Sequence, residues 1–532
     1  MFKESIDRRS MKVIDASKLQ QMVIGAYKYL EENKSLVDEL NVFPVPDGDT
    51  GTNMNMTMKS GVDKVNQTSG LSVEEIAKAL SQGTLMGARG NSGVILSQLV
   101  RGMSKTLKGK DEIGALEIRD IFKNATKTAY KAVMQPTEGT ILTVARKMSE
   151  KAEEAFDENK NLDDYLVEII TEGQIALDNT PKQLPVLKEA GVVDSGGQGL
   201  MFLLRGALNA LNGDIDRDID LSSSESVEEG SYKIYFELLI KENDFKKISD
   251  SIDSLSTNFD YEYKDGHLKA EARSEYPQQI ISKILVDGIL VKLEVENTKP
   301  DIENAVKEPE KLKKYGFIAV SRGEGFDDIL KSMNIDKIIS GGQTMNPSTE
   351  DIYKNIEEVA AENIIIFPNN KNIIMASKQA CQLTDKNAMV LETRSIPETF
   401  TAMLEFDEDE DLEENIENMA DAISDMHTVE VSISIRDTSV NNIEIKKDDY
   451  IGILDGKIVA TTSNIEETTR EAIKIAIDKD DDISLVTLYY GEEADKRKAK
   501  ELVKKLSKDY KDIDIELVYG GQPVYYYQAT LE

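Results

Sequence analysis

The pattern of apolar and polar positions changes character three times along the chain. From Ser17 to Lys34, Leu19, Met22, Val23, Ala26, Tyr27 and Leu30 recur at the spacing of one helix face. Ser72-Val73-Glu74-Glu75 is a capping box ahead of Ile76, Ala77 and Leu80. The same period predicts helices over 93–107, 118–134, 140–155, 163–178 and 197–211, with prolines 44, 46, 136, 181 and 185 falling between them. Residues 1–212 therefore read as an all-α domain. Residues 213–230 are polar and acidic, a linker. Over 231–312 the signal turns to strands, Tyr232–Ile240 and Gly288–Glu296, with a helix at 243–257, a small α+β domain. From 313 to 532, short apolar strands at 317–320, 337–340, 363–367, 388–391, 484–489 and 514–519 alternate with helices. That alternation predicts an α/β domain with a mostly parallel sheet, into which 428–463 inserts a β-meander.

Composition narrows the class. The 532 residues suffice for about three domains. Ninety-eight acidic against 64 basic residues give a net charge of −34, which argues against nucleic acid and anionic lipid as partners. The single cysteine, Cys381, allows no intrachain disulfide and fits a reducing cytoplasm. One cysteine and two histidines exclude a Cys/His zinc finger. No run of about 18 apolar residues is present, so no stable membrane insertion is expected, and the charged start is not expected to act as a signal peptide. The nine carboxylates within 405–417 read as a solvated loop or helix start. His267 and His427 read as surface or satisfied histidines.

The strongest chemical signal is Asn41-Val42-Phe43-Pro44-Val45-Pro46-Asp47-Gly48-Asp49-Thr50-Gly51-Thr52-Asn53-Met54. Asp47 and Asp49 flank a glycine, so both are able to face one hard cation, with Asn41 adding a carbonyl oxygen. Mg²⁺ takes such oxygen ligands and shares itself with phosphates. Thr50-Gly51-Thr52-Asn53 then opens a helix, whose free N–H groups suit phosphate. The plain alternative is an Asp-Gly-Asp turn with a helix cap. Two further small-residue loops feed helices: Met86-Gly87-Ala88-Arg89-Gly90-Asn91-Ser92-Gly93 and Asp194-Ser195-Gly196-Gly197-Gln198-Gly199. Glu138-Gly139-Thr140 is a weaker fourth. There is no G-x-x-x-x-G-K-[ST] loop, and no serine triad is supported.

These four motifs resemble the nucleotide-binding subunit of dihydroxyacetone kinase, and still more the ATP-binding subunit of bacterial fatty acid kinase. The second likeness continues through Gly341-Gly342-Gln343-Thr344-Met345-Asn346-Pro347-Ser348-Thr349, Pro368-Asn369-Asn370-Lys371-Asn372-Ile373 and Gly520-Gly521-Gln522-Pro523, over nearly the whole chain. It implies a helical barrel holding ATP and Mg²⁺ in its rim loops, a small middle domain and a DegV-like C-terminal domain. It implies a homodimer that phosphorylates the carboxylate of a fatty acid held by a separate DegV-like carrier, giving acyl phosphate for phospholipid synthesis. Asn41, Asp47 and Asp49 then hold the metal. Thr50, Gly51, Thr52, Asn53, Met54, Gly90, Asn91, Ser92, Gly93, Thr140, Asp194, Ser195, Gly196 and Gly197 contact the nucleotide. Arg89 either clamps a phosphate oxygen or is structural.

Two departures stand out. Related middle domains carry a Cys and a His-x-His pair that suit zinc, where this chain has Tyr232-Lys233 and Leu293-Glu294-Val295-Glu296. That argues against zinc and suggests that Lys233 pairs with Glu294 or Glu296. Ile396-Pro397-Glu398-Thr399 stands where a Pro-Gln-Gly turn is expected. The motif at 344–349 is expected to serve structure or carrier docking, as a loop after a strand. The competing functions are a kinase of a small hydroxylated metabolite such as dihydroxyacetone, and a non-catalytic ATP-binding regulatory module.

Overall fold

The computed structural model describes residues 11–42, 48–67, 72–133, 135–213, 232–240, 245–253, 255–256, 258–264, 266–274, 280–281, 283–284, 289–297, 312–342, 346–434, 437–440 and 443–532. By internal contacts the chain forms two units. Residues 1–215 and 312–532 form one, and 216–311 form the other.

The first unit begins with ten helices: α1 (Ala16–Glu39), α2 (Thr50–Asn66), α3 (Val73–Met86), α4 (Gly90–Thr106), α5 (Ala115–Ala132), α6 (Ile141–Glu154), α7 (Leu162–Asp178), α8 (Thr180–Gln183), α9 (Pro185–Ala190) and α10 (Ser195–Asn212). Local chemistry fixes their starts. Asp15 caps α1 by accepting from the Lys18 N–H at 2.9 Å. Ser72 and Glu75 form the expected capping box of α3. Each helix from α1 to α7 packs on the next, and α10 packs on both α7 and α1, which closes a ring. The apolar stripes meet inside it, where Leu30, Val37, Val65 and Leu162 are fully buried. Truncating Leu30 to Ala would cost about 2–5 kcal/mol. An apolar cavity of about 220 Å³ remains in the ring, between Met22, Leu99, Phe122 and Met148. The short helices α8 and α9, each opened by a proline in its first turn, were not expected from the period.

The unit spanning 216–311 holds β1 (Tyr232–Leu239), α11 (Phe245–Asp253), β2 (Asn258–Lys264), β3 (His267–Ser274) and β4 (Ile289–Asn297). The strands form one antiparallel sheet in the order β2-β3-β1-β4. Register sets Lys233 opposite Glu296 on β4, yet its ammonium goes to Glu271 on β3 at 2.9 Å and lies over the Tyr235 ring. The expected pairing with Glu294 or Glu296 is therefore corrected. Tyr235 fixes the direction by drawing the ammonium toward its ring face.

The first unit resumes with β5 (Lys313–Ser321), α12 (Glu324–Ser332), β6 (Lys337–Ser340), α13 (Thr349–Glu358), β7 (Ala361–Phe367), α14 (Lys371–Cys381) and β8 (Asn387–Val390). These give a four-stranded parallel sheet, order β6-β5-β7-β8. After α15 (Ile396–Leu404) and α16 (Leu412–Ser424) come β9 (His427–Ile433), β10 (Thr438–Val440), β11 (Ile443–Ile445), β12 (Tyr450–Leu454) and β13 (Lys457–Thr462). The chain closes with α17 (Ile465–Lys479), β14 (Leu485–Tyr490), α18 (Lys496–Asp509), β15 (Asp514–Tyr519) and β16 (Tyr527–Leu531).

The second sheet runs β13-β12-β9-β16-β14-β15 and is antiparallel except between β14 and β15. This corrects the expectation of one mostly parallel sheet with an inserted meander. The buried strand β16 lies between β9 and β14 and makes the meander part of the sheet. Ile396-Pro397-Glu398-Thr399 opens α15, where Glu398 accepts from the Arg394 N–H at 2.7 Å. Both histidines are satisfied, His267 by Glu237 at 3.0 Å and His427 by Asp455 at 2.9 Å. The expected linker 213–230 lies outside the described residues beyond Gly213.

What joins the two halves of the first unit is a shared core. Ala88, just before α4, and Val94, in its first turns, are buried among Ile318, Ile352, Ile373 and Ala376 of the α/β half. Gln379 of α14 reinforces this by donating to the Leu85 carbonyl at 2.8 Å and accepting from Gln98 at 2.9 Å. Among the described residues, no helix is long and apolar enough to cross a membrane.

Candidate functional site

Four helices begin at the wall of one cavity of about 240 Å³. Thr50 and Asn53 come from α2, Asn91 and Ser92 from α4, Thr140 and Ile141 from the start of α6, and Ser195 and Gly196 from α10. Each helix start carries about half a positive charge and outward N–H groups, so the converging starts favour a polyanion. The lining also has an apolar side made of Ile95, Val133, Leu142 and Met375. Asn41 and Asp49 supply oxygen donors at the same wall.

The backbone decides what Asp49 does. It occupies the cap position of α2 at φ −120°, ψ 2°, and its side chain makes no cap bond. A capping residue ordinarily sits in the extended region. Asp38, near the end of α1, replaces it, accepting from the Thr52 N–H at 3.0 Å and the Thr52 hydroxyl at 2.8 Å. Gly51 permits this approach, since a Cβ there would lie 2.2 Å from the Lys34 carbonyl oxygen. The Asp49 carboxylate instead accepts from Asn346 Nδ2 at 2.6 Å, a residue of the α/β half.

Asp194 is built differently. It is extended at φ −62°, ψ 124°, and caps α10 by accepting from the Gly197 N–H at 2.7 Å. It also accepts from the Ile141 N–H, which ties the start of α6 to that of α10. Burial pushes its carboxyl up to about 6 against the pull of those two N–H groups. Ser195 Oγ meets Thr50 Oγ1 at 3.3 Å, joining the starts of α10 and α2.

The C-terminal family of fatty acid kinase FakA-like proteins matches residues 316–532, and the DAK2 domain matches residues 44–209. An uncharacterized protein of Staphylococcus aureus strain USA300 is 38% identical over 550 residues, which is 98% of this chain and 99% of that protein. The chain belongs to the FakA-like fatty acid kinase family. Its solved neighbours include the dihydroxyacetone kinase from C. freundii in complex with AMP-PNP and Mg²⁺, at 13% identity and a TM-score of 0.30. That match covers 40% of this chain and 37% of the neighbour. The Streptococcus pneumoniae fatty acid kinase B3 protein loaded with linoleic acid matches at 11% identity and a TM-score of 0.29, over 41% of this chain and 99% of the neighbour.

In this FakA-like family member, the rim residues named from the sequence divide in two. Asn41, Asp49, Thr50, Asn53, Asn91, Ser92, Thr140, Asp194, Ser195 and Gly196 line the cavity together. Gly51, Thr52, Gly90, Gly93 and Gly197 are not among the residues that line it. Gly90 has φ +59°, and a Cβ there would meet Asn53 Nδ2 at 2.5 Å. Met54 is corrected: it is fully buried in the helical core, because α2 turns it away from the cavity. Of the two readings of Arg89, its contacts in this structure fit the structural one. Its Nη1 donates to the Asn346 carbonyl at 2.7 Å and its Nη2 lies 3.5 Å from Asp351, so residues of the α/β half hold it. Asp47, and Gln343 to Met345 of the C-terminal motif, lie outside the described residues.

Asp38, Asn346, Asn372 and Met375 carry weight in the site that the motifs did not assign. Asn346 and Asn372 lay within quoted motifs, so the signal existed without a destination. Asp38 and Met375 had none.

Proposed function

We propose that this chain transfers the γ-phosphoryl group of ATP to the carboxylate of a fatty acid presented by a separate carrier protein. A carboxylate oxygen bonds to the γ-phosphorus, the bond to the β,γ-bridging oxygen breaks, and acyl phosphate and ADP leave. The single observation behind this reading is the convergence of four helix starts and the Asp49 carboxylate on one cavity. Phosphoryl transfer asks mainly for positioning and neutralised charge, which this arrangement supplies. A fatty carboxylate is ionised at neutral pH, so no general base is needed. The described residues that line the cavity include no histidine.

Asn41 and Asp49, with Asp47, would hold Mg²⁺. Among the described residues no cluster of three or more His, Cys, Asp or Glu side chains exists that could hold a metal. The fit is nevertheless good, because Mg²⁺ is usually bound by one or two carboxylates plus phosphate oxygens. Bound there, Mg²⁺ would neutralise phosphate charge. The helix starts orient the polyphosphate, and the apolar side at Ile95, Val133, Leu142 and Met375 suits the base. The acyl phosphate would feed phospholipid synthesis in the cytoplasm. A homodimer belongs to the same proposal, supported by Ile289, Val291 and Val295 standing exposed along the edge strand β4.

The test is phosphate transfer from γ-labelled ATP with Mg²⁺, a long-chain fatty acid and a DegV-like carrier, each omitted in turn. Label in acyl phosphate only when all are present is the expected result. Transfer to dihydroxyacetone without a carrier would replace this reading with a small-metabolite kinase. Tight Mg²⁺-ATP binding with no transfer to either acceptor would make the chain a regulatory ATP binder.

A further inference from the structure

The metal site of the helical half is braced from the other half of the same unit. Asn346 follows β6 in the α/β half, and only 3% of its surface is exposed. Its Nδ2 donates to Asp49 Oδ2 at 2.6 Å and lies 3.5 Å from Asn53 Oδ1. The carboxylate acceptor fixes which end of the amide is nitrogen. Among the described residues the Asn346 Oδ1 is buried with no hydrogen-bond partner, an arrangement proteins avoid unless the site has a use for the atom. The main chain here is itself pinned. Arg89 donates to the Asn346 carbonyl at 2.7 Å, and the Thr349 N–H donates to the Ala88 carbonyl at 3.1 Å.

The chemistry of this contact is specific. A lysine or arginine against Asp49 would compete with a cation for the carboxylate. An amide orients the carboxylate and leaves its charge intact. Asn346 does not line the cavity, so it acts on Asp49 from behind. We infer that Asn346 is a positioning residue for the metal–nucleotide site, so that the α/β half completes a site whose ligands lie in the helical half. The inference rests on the metal reading of Asp49 given above. It moves the loop after β6 from carrier docking or structure to control of metal affinity.

The experiment uses the full chain and compares wild type with N346A, N346S and D49N. Mn²⁺ binding in the presence of a non-hydrolysable ATP analogue is measured by calorimetry or electron paramagnetic resonance. Analogue binding without metal and the melting temperature are measured beside it. Removing an outer partner of a metal ligand typically costs about ten- to a hundred-fold in metal affinity. N346A is expected to lose that much, with metal-free analogue affinity within about twofold, and N346S, whose hydroxyl is one bond shorter, is expected to recover part of it through a water held between that hydroxyl and Asp49. Metal affinity of N346A within about twofold of wild type, with D49N having lost it, would overturn the inference alone. An equal drop in affinity with and without metal, not recovered by N346S, would also overturn it, as the mark of a merely structural contact. Metal affinity kept in D49N would overturn the metal reading and the inference together.

Discussion

Two helices start at the cavity with an aspartate before small residues, Asp49 before Thr50-Gly51-Thr52 and Asp194 before Ser195-Gly196-Gly197, and the two carboxylates do opposite work. Asp194 is extended, so its side chain folds back on the Gly197 N–H and closes the helix end. Asp49 has ψ near zero, so its side chain leaves the helix end and lines the cavity. Its capping duty passes to Asp38, one helix away. One local motif thus yields a structural anion in one place and a candidate ligand in the other. The deciding variable is a backbone dihedral that residue identity does not reveal.

The comparison breaks most visibly through substitution of Asp49. D49N is expected to lower kcat by about a thousandfold, about 4 kcal/mol in the barrier, since an amide holds Mg²⁺ poorly. Its stability should fall by about 1–3 kcal/mol, because the charge-assisted bond from Asn346 is weakened while no cap bond is lost. Labelled-ATP assays beside urea melts check both halves of that statement. A large stability loss with normal turnover would make Asp49 the cap and reverse the assignment.

The next effect belongs to Asp194 and is read as a pH slope. Its carboxyl sits at about 6 in the folded chain against an ordinary 3.8. Between these values the native state keeps a proton that the unfolded chain has released. Stability therefore falls as pH rises through that window and levels off above it. The span is about 3 kcal/mol at full weight. In D194N this contribution is absent, so the stability difference between variant and wild type should shift toward the variant as pH rises from 4 to 6. Urea midpoints of both proteins at four pH values measure it. Parallel curves would mean that Asp194 is better solvated than its 5% exposure implies.

The helices were legible because their evidence is local. The face of Leu19, Met22, Val23, Ala26 and Leu30 announces α1, and Ser72 with Glu75 announces α3. The rim loops were legible for the same reason, since a small-residue run feeding an apolar helix is a local feature. What failed is whatever depends on distant partners. Tyr527-Gln528-Ala529-Thr530-Leu531 is short and half polar, yet lies buried in mid-sheet because β9 and β14 flank it. Met54 sits in the right motif and faces elsewhere, into the helical core. Asn346 is 297 positions from Asp49, a separation no periodicity bridges.

The smallest effect tests whether Asp49 keeps its place at the cavity when its substitute is removed. In D38A the Thr52 N–H and hydroxyl lose their acceptor, and loss of a helix cap typically costs about 1 kcal/mol. Two responses are open to the chain. If the backbone at Asp49 is as firmly held as its contact with Asn346 indicates, Asp49 stays at the cavity. D38A then loses about 1 kcal/mol while metal affinity stays within about twofold, and the D38A/D49N double variant is additive in stability. If Asp49 swings back to cap α2, D38A loses little stability and much metal affinity, and the double variant is more destabilised than the sum. The expected outcome is the first. Asp49 would have to abandon both its ψ and the Asn346 amide to cap the helix, and one cap bond does not repay two such losses.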